Sequence, residues 1–264
     1  MKNISQFPEE DLKKIDFLLT DIDDTITTEG QLPAQSLVAM ERLGKLGVKV
    51  IPITGRPAGW CDHIARMWPV AAVVGENGAF YFSYDRDKAT MIQAYADNAT
   101  QREKNRKRLA QIKKEILATI PGAGIASDQE YRIADLAIDF CEDVAPLSEK
   151  DIQLILTIFR RHGATAKRSS IHINGWYGTY DKLSMTRTCM SELFGVDIDT
   201  ENSRIAYTGD SPNDAPMFAH FIHSVGVANV ADYTMNHLPR WVTSSRSATG
   251  FCEFAEKILA VKTL

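Results

Sequence analysis

The chain has 264 residues, of which 44% are hydrophobic and 24% are charged, and its formal net charge is -4. These proportions exclude a largely disordered chain and predict either one large globular domain or a core with an inserted domain. The net negative charge, the polar and acidic first residues and the absence of an apolar run of about 20 residues argue against nucleic acid or a membrane as partner and favour a cytoplasmic protein.

The first third of the chain alternates apolar strands with segments of helical spacing. Leu37, Met40 and Leu43 recur at helical spacing, and Gly47 closes that stretch as a C-terminal cap glycine does. Strands are predicted at 16–20, 48–53 and 71–74, with helices around 37–43 and at 57–67. This strand-then-helix order is typical of a parallel sheet covered by helices.

After the turn at 75–78, the pattern predicts an antiparallel hairpin and then a different kind of unit. The hairpin strands are 79–84 and 90–93, which flank a charged turn. Between about 95 and 180 we predict helices at 98–119 and 148–162 and strands at 131–140 and 164–173, each of which could be either one strand or a doubled one. An α+β insert with its own open sheet explains this stretch better than a continuation of the parallel sheet.

The parallel pattern returns after Lys182, with a helix, a strand at 204–208 and a polar loop at 209–214. The predicted fold class is therefore α/β, with a Rossmann-like doubly wound core and an inserted α+β domain. The predicted core comprises residues 1–84 and 181–264, and the predicted insert comprises residues 85–180.

Carboxylates are concentrated at the ends of predicted core strands. Asp21, Asp23 and Asp24 follow the first strand, and Asp210 and Asp214 lie in the loop after a later one. In an open parallel sheet these strand ends converge on one crevice, where clustered carboxylates repel one another unless a cation such as Mg²⁺ binds them. An isolated Asp-Ile-Asp-Asp segment is also typical of an acidic surface turn with capping aspartates.

Four segments, in chain order, resemble the motifs of the haloacid dehalogenase (HAD) superfamily of phosphohydrolases. They are Asp-Ile-Asp-Asp-Thr at 21–25, Ile-Thr-Gly-Arg at 53–56, Lys182, and Gly-Asp-Ser-Pro-Asn-Asp at 209–214. The insert lies between the second and third motifs, as in the type IIB branch with its C2B cap, which includes the Cof-like and sucrose-phosphate phosphatases. The Glu-Asn-Gly turn at 76–78 is also similar to that branch.

The resemblance implies a role for each matching residue. Asp21 is expected to be the nucleophile, Asp23 the general acid and base, and Lys182 the cation beside the transferring phosphoryl group. The expected cofactor is Mg²⁺, bound by the Asp21 carboxylate, the backbone carbonyl of Asp23 and the Asp210 carboxylate. Asp214 is expected to act either as a further ligand or as an outer residue that orients the ligands. Asp24 is expected to be a structural cap.

Phosphate binding is predicted for Thr54, Gly55, Arg56 and Asn213. Thr54 offers a hydroxyl and Gly55 a backbone N–H near the start of a helix. Arg56 could contact the phosphate, or it could instead pair with a neighbouring carboxylate.

In the insert, His172 and Asn174 share one face of a predicted strand, which either faces the substrate or is an exposed polar side of the sheet. Trp176 and Tyr177 suit either stacking on a sugar ring or packing at a hinge. The basic stretch 102–114 could steer anions or bind nucleic acid, but a solvated helix face is the commoner role of such a stretch.

We therefore predict a Mg²⁺-dependent phosphoric monoester hydrolase that acts on a small phosphorylated metabolite, with a sugar phosphate favoured, through an aspartyl-phosphate. Two alternatives stay open: a phosphosugar mutase of the same branch, and a catalytically silent regulatory or binding protein. Hinges for cap movement are expected near Tyr84 and Tyr180. The oligomeric state and the substrate do not follow from the sequence.

Overall fold

The computed structural model describes residues 1–169 and 171–263. The helices are α1 Glu9–Leu12, α2 Ala34–Lys45, α3 Ala58–Met67, α4 Ala99–Thr119, α5 Glu149–Arg161, α6 Lys182–Phe194, α7 Ala215–His220 and α8 Ser247–Lys262. The strands are β1 Lys2–Asn3, β2 Phe17–Thr20, β3 Lys49–Pro52, β4 Val73–Gly75, β5 Phe80–Asp85, β6 Thr90–Tyr95, β7 Gly124–Ile125, β8 Asp135–Asp139, β9 Thr165–Arg168, β10 His172–Trp176, β11 Ile205–Gly209, β12 His223–Gly226 and β13 Trp241–Val242.

Within the described residues, the largest sheet is parallel throughout and has the order β1-β13-β12-β11-β2-β3. Successive side chains of a strand point to opposite faces, so Leu18 of β2 packs in a core with helices α2, α3 and α8, whereas Leu19 packs in a second core with α6 and α7. Helices thus cover both faces of the sheet. The expected doubly wound α/β core is confirmed.

The second sheet is antiparallel and has the order β7-β8-β10-β9. Helices α4 and α5 cover it: Ile112 of α4 and Ile155 of α5 are fully buried against Ile138 and Ile173 of the sheet. This is the α+β unit expected between the motifs. Strands β4, β5 and β6 form a third, antiparallel sheet that lies between the parallel sheet and this unit in the chain.

The structure refines three local predictions. The segment 164–173, predicted as one strand or a doubled one, is two strands, β9 and β10, which pair as a hairpin; Ser170, which belongs to that prediction, lies outside the described residues. The segment predicted as a strand at 131–140 starts with the end of a 3₁₀ turn at Gln129–Tyr131 and forms a strand only as β8. The predicted boundary at 84/85 falls inside β5, and the exact limits of core and insert stay predictions.

The aromatic pair after β10 packs within the protein. Trp176 is buried, stacks on Tyr180 at a centroid distance of 5.9 Å and donates its indole N–H to the Tyr180 carbonyl. The hydroxyl of Tyr177 donates to the carbonyl of His162. These contacts favour the hinge-packing alternative for both side chains.

The basic face of α4 is engaged locally: Arg102 lies over the ring of Tyr95 and Arg108 over the ring of Tyr177. Among the described residues, no helix combines the length and apolar character needed to cross a bilayer.

Candidate active site

Parallel pairing brings two of the motif aspartates to the same edge of the sheet. Strand β2 pairs with β11 in a register that sets Thr20 beside Thr208, and the backbone N–H of Asp21 donates to the Thr208 carbonyl at 2.9 Å. Asp21 and Asp210 are therefore the first residues beyond two adjacent strands. Their positions follow from strand register alone.

Three carboxylates meet at this edge. Asp21, Asp210 and Asp214 are buried, and each offers an oxygen such that these oxygens all lie within 4.8 Å of one another. Burial, together with Asp214, raises the pKa of Asp21 to about 7 despite the nearby Lys182 ammonium. Burial and the same neighbours, Asp214 and Asp21, also raise the pKa of Asp210. The arrangement is costly without a cation.

One oxygen of this cluster lacks a partner. Oδ2 of Asp210 is buried and makes no hydrogen bond with any described residue, while Oδ1 has only a 3.4 Å contact with the Thr25 hydroxyl. A buried carboxylate oxygen without a donor is rare unless an ion satisfies it. The hard oxygen donors of this cluster fit Mg²⁺.

Lys182 places a positively charged side chain next to the carboxylates of Asp21 and Asp214. It is the first residue of α6, which Asp181 and Ser184 cap reciprocally. Its ammonium lies 2.7 Å from Oδ1 of Asp21 and 2.9 Å from Oδ1 of Asp214. Burial lowers the pKa of this ammonium, but the two carboxylates outweigh burial and raise the pKa above its ordinary value. Lys182 therefore stays charged beside Asp21.

Asp214 uses both of its oxygens within the protein. Its Oδ2 accepts the backbone N–H groups of Asp210 and Ser211 at 3.0 and 3.2 Å, and its Oδ1 accepts the hydroxyl of Tyr207 in addition to the Lys182 ammonium. A side chain at Gly209 would place its Cβ 2.5 Å from Oδ2 of Asp214, so a glycine is required there. These contacts favour the orienting role for Asp214.

Arg56 holds the carboxylate of Asp23. Its Nε lies 3.0 and 3.1 Å from the two oxygens of Asp23, and its Nη2 lies 2.8 Å from Oδ1. Weaker ion pairs join the same guanidinium to Asp128 and Glu142 of the inserted unit at 3.5 and 3.4 Å. The structure thus has the carboxylate pairing that the sequence left open, and contact of Arg56 with phosphate stays a prediction.

The insert contributes buried polar groups above this edge. His172 and Asn174 are 2% and 4% exposed, so the alternative of an exposed polar sheet face is wrong. Nε2 of His172 lies 2.8 Å from Oε2 of Glu142, and the Asn174 amide donates to Asp135 at 2.9 Å. The sequence prediction missed Glu142, although it lies two residues after the end of the predicted strand 131–140, where a polar strand-end residue is a recognisable signal.

The predicted phosphate-binding residues lie at different depths. Thr54 is fully buried, and its hydroxyl accepts the backbone N–H of Arg56 at 3.1 Å. The side-chain oxygen of Asn213 accepts the Ser211 hydroxyl. One cleft of about 20 Å³ is lined by most of the predicted residues: Asp21, Asp23, Gly55, Arg56, His172, Asn174, Asp210 and Asn213. Thr54 lies behind this wall.

A second acidic cluster joins the core to the insert. Glu76 is fully buried in a 3₁₀ turn, and its carboxylate accepts the backbone N–H groups of Ala58, Ile133, Ala134 and Asp135 at 2.7 to 3.2 Å. Burial, and then Asp135, raise the pKa of Glu76 to about 7 in spite of these donors.

Arg132 completes this cluster. Its guanidinium pairs with Asp128 and Asp135 and donates to the Gly55 carbonyl at 2.9 Å. We refer to Glu76, Asp128, Arg132 and Asp135 as the Glu76 cluster. The Glu-Asn-Gly turn was noted in the sequence, but its partners in the insert were not predicted.

The turn at Glu76–Gly78 has no room for a side chain at its last position. The backbone of Gly78 has a φ of +108°, and a Cβ there would lie 2.0 Å from the Asp181 carbonyl oxygen. Glycine is therefore needed where the Glu76 turn meets the start of α6.

Comparisons with known proteins agree with this geometry. Residues 18–126 match the sequence profile of the haloacid dehalogenase-like hydrolases. A phosphoglycolate phosphatase from Methanothrix thermoacetophila is 27% identical over 248 residues, which are 93% of this chain and 98% of the relative.

Solved structures share the fold at low sequence identity. A HAD/COF-like hydrolase from Plasmodium vivax superposes with a TM-score of 0.69 at 17% identity, covering 96% of this chain and 99% of that one. The sucrose-phosphatase of Synechocystis gives a TM-score of 0.64 at 15% identity, covering 93% and 98%. The solved structures show the fold alone, and the profile match over residues 18–126 together with the phosphatase-named relative supports a phosphoric monoester hydrolase similar to the haloacid dehalogenase-like hydrolases.

Proposed function

We propose that the protein is a Mg²⁺-dependent phosphatase that hydrolyses a small phosphate monoester, a sugar phosphate, through an aspartyl-phosphate on Asp21. The observation that carries this proposal is the buried group of Asp21, Asp210 and Asp214 around the Lys182 ammonium. Asp21, Asp210 and the backbone carbonyl of Asp23 would hold the ion, and Asp214 would orient them. Bound there, Mg²⁺ supplies positive charge that lowers the repulsion between a phosphate dianion and the attacking carboxylate.

In the first step, an Asp21 oxygen attacks phosphorus, a new O–P bond forms and the ester P–O bond breaks. The Lys182 ammonium, 2.7 Å from that carboxylate, keeps Asp21 oriented and reduces repulsion as the phosphate approaches. Asp23 gives its proton to the leaving alcohol oxygen. The bidentate contact with Arg56 fixes the direction in which Asp23 points.

In the second step, water cleaves the aspartyl-phosphate. Asp23, now ionised, takes a proton from the water that attacks phosphorus, and inorganic phosphate leaves while Asp21 is restored as a carboxylate. Each proton that Asp23 gives in the first step is thereby replaced in the second. No group of the chain is consumed.

We propose that residues 85–180 act as the cap and that the pair of Glu142 and His172 faces the bound substrate beside its phosphate group. His172 is buried and lines the cleft, and its Nε2 lies 2.8 Å from Oε2 of the partly exposed Glu142. Two related proteins are named for different substrates, one as a phosphoglycolate phosphatase and one as a sucrose-phosphatase. Both substrate types therefore belong in the test.

The test is release of inorganic phosphate by the purified protein from glucose 6-phosphate and from phosphoglycolate, with Mg²⁺ or with EDTA. We expect metal-dependent release from at least one of the two esters and faster release from the sugar phosphate. Equal release with EDTA would contradict the metal requirement. Preference for phosphoglycolate would contradict the sugar-phosphate assignment while leaving the phosphatase mechanism intact.

A further inference from the structure

A second cavity lies beside Asp23. It has a volume of about 460 Å³ and runs between α3 and the segment at 22–32. Its wall carries Trp60 and His63 from α3, Trp68 from the position after α3, and Tyr131 from the insert. We call it the aromatic groove. Trp60 and Tyr131 are 42% and 59% exposed, so the groove presents aromatic surface to solvent.

The sizes of the two cavities differ by more than twentyfold. The cleft at Asp21 has a volume of about 20 Å³, which is little more than the space of one water molecule. The aromatic groove falls in the range of small-molecule sites. Of these two cavities that Asp23 lines, the groove is the one with room for the organic part of a phosphate ester.

Asp23 is the wall that the two cavities share. In the proposed mechanism Asp23 protonates the leaving oxygen, so the carbon chain attached to that oxygen must extend from Asp23. The groove starts at that residue. Arg56 strengthens the link, because its guanidinium holds Asp23 and also lies 4.4 Å from the centre of the Trp60 ring.

We propose that the aromatic groove binds the leaving group of the substrate and that this leaving group contains a six-membered sugar ring. This inference rests on the proposed function and names the part of the molecule that selects the substrate. The apolar face of a sugar ring suits the exposed face of Trp60, and its hydroxyl groups suit polar neighbours such as His63 and Thr27. A two-carbon alcohol such as glycolate has no ring to stack on Trp60.

The insert closes the groove from above. A Cβ at Gly59 would lie 2.9 Å from the Cβ of Tyr131, so this glycine lets the insert approach the first turn of α3. Tyr131 then covers one side of the groove while Trp60 forms the other. The groove is therefore a feature of the closed arrangement of core and insert.

The test compares two esters in the Mg²⁺-loaded enzyme. Trp60→Ala should raise the KM for glucose 6-phosphate about tenfold, because the ring loses its stacking surface. The same variant should leave kcat for this ester and both constants for phosphoglycolate within about twofold of the wild type. Trp60→Phe should restore most of the affinity. Met67→Ala, which removes an exposed apolar side chain from the same helix outside the groove, is the control.

A second variant and a binding measurement test the groove without relying on catalytic turnover. His63→Trp fills the groove from an exposed helix position and should weaken glucose 6-phosphate binding without changing phosphoglycolate binding. Calorimetry in an Asp21→Asn background with Mg²⁺ measures both without hydrolysis. Three results would overturn the groove assignment. They are unchanged binding of glucose 6-phosphate in Trp60→Ala, equal losses of affinity for both esters in that variant, and no binding of glucose 6-phosphate to the Asp21→Asn protein. Binding that follows the groove variants without phosphate release by wild-type protein would instead refute the proposed function alone.

Discussion

Two buried acidic clusters lie within one molecule and differ in how their charges are satisfied. In the Glu76 cluster, carboxylates face an arginine and a row of backbone N–H groups. At the sheet edge beside Asp21, the carboxylates of Asp21 and Asp214 share one lysine, and an oxygen of Asp210 has no donor among the described residues.

The difference distinguishes carboxylates that stabilise the fold from carboxylates that are available to bind a ligand. A buried carboxylate that is fully hydrogen-bonded stabilises one arrangement of the chain and has no capacity left for a ligand. A buried carboxylate with an unsatisfied oxygen is costly by itself and gains most from a bound cation. Substitutions at the two clusters should therefore affect different properties, activity and metal response at one and stability at the other.

The largest effect is expected for Asp21→Asn. The amide cannot form the aspartyl-phosphate, so phosphate release should fall by at least about 10³-fold. The melting temperature should stay the same or rise, because one of the mutually repelling carboxylates is removed. Rate and melting temperature are measured on the same preparation, with Asp62→Asn on α3 as the control. Retention of more than a tenth of the activity would rule out Asp21 as nucleophile.

Asp210→Asn should remove most of the stabilisation of the folded protein by Mg²⁺. In the wild type, Mg²⁺ at about 100 times its Kd should stabilise the folded state by about 2.7 kcal/mol, because the ion binds the folded protein only. The variant should lose most of this stabilisation and need much more Mg²⁺ for half-maximal activity. Thermal melts across a Mg²⁺ series, with Asp232→Asn as an exposed control, give the comparison. An unchanged Mg²⁺ shift in the variant would argue against Asp210 as a ligand.

Glu76→Gln should lower stability with little direct effect on chemistry. The amide keeps one acceptor oxygen and turns an NH₂ group toward backbone N–H donors, which leaves buried donors unsatisfied. The amide also avoids the cost of burying a charge, so we expect a net loss of about 2 kcal/mol in the free energy of unfolding. Urea unfolding at pH 8 measures it.

Glu253→Gln is the matched control for this substitution, since Glu253 accepts backbone N–H groups of Ser244 and Ser245 nearer the surface. It should cost less than Glu76→Gln. Equal losses in the free energy of unfolding for the two variants would mean that burial of Glu76 adds nothing to the cost of the substitution.

The sequence predicted the meeting of Asp21 and Asp210 at one sheet edge better than it predicted the Glu76 cluster, for a physical reason. Asp21 and Asp210 directly follow strands, and parallel pairing brings strand ends together whatever the loops do. The Glu76 cluster forms because the insert folds back so that the segment around Arg132 meets a turn that precedes it by more than 50 residues. Contacts of that kind depend on packing between units, which neither periodicity nor motif spacing records.

The same limit explains the insert strands. Apolar and polar residues alternate at both ends of the stretch 164–173, and the four polar residues 167–170 between them include no glycine or proline to mark a turn, so the pattern fits one long strand as well as two. His172 and Asn174 were placed on a common face, and the structure buries that face under the core. The alternation of polar and apolar residues shows which side chains share a face of the strand, but it does not show which part of the protein covers that face.

Glu142 offers the smallest and most selective test of the comparison, because it is a carboxylate of the insert that lies beside His172 of the same unit and pairs with Arg56 of the core. Its contact with His172, and then the Arg56 charge, lower its pKa from 4.5 to about 2. A lowered folded-state pKa means that the contribution to stability is complete above the unfolded value near 4.5 and is lost as the pH falls from there toward 2. Because the side chain is 30% exposed, we expect Glu142→Gln to lower the free energy of unfolding by only about 1 kcal/mol at pH 7.

The difference between wild type and this variant should stay constant from pH 7 to about 5 and shrink below it as the wild-type carboxyl becomes protonated. Urea unfolding at several pH values measures the difference, and Glu130→Gln, an exposed acid of the same unit, sets the effect of removing one surface charge. A difference that does not change between pH 5 and pH 3 would mean that the charge of Glu142 contributes nothing across the cleft. In that case its position beside His172 would reflect packing, and the contrast between satisfied and unsatisfied acids would hold only for the fully buried residues.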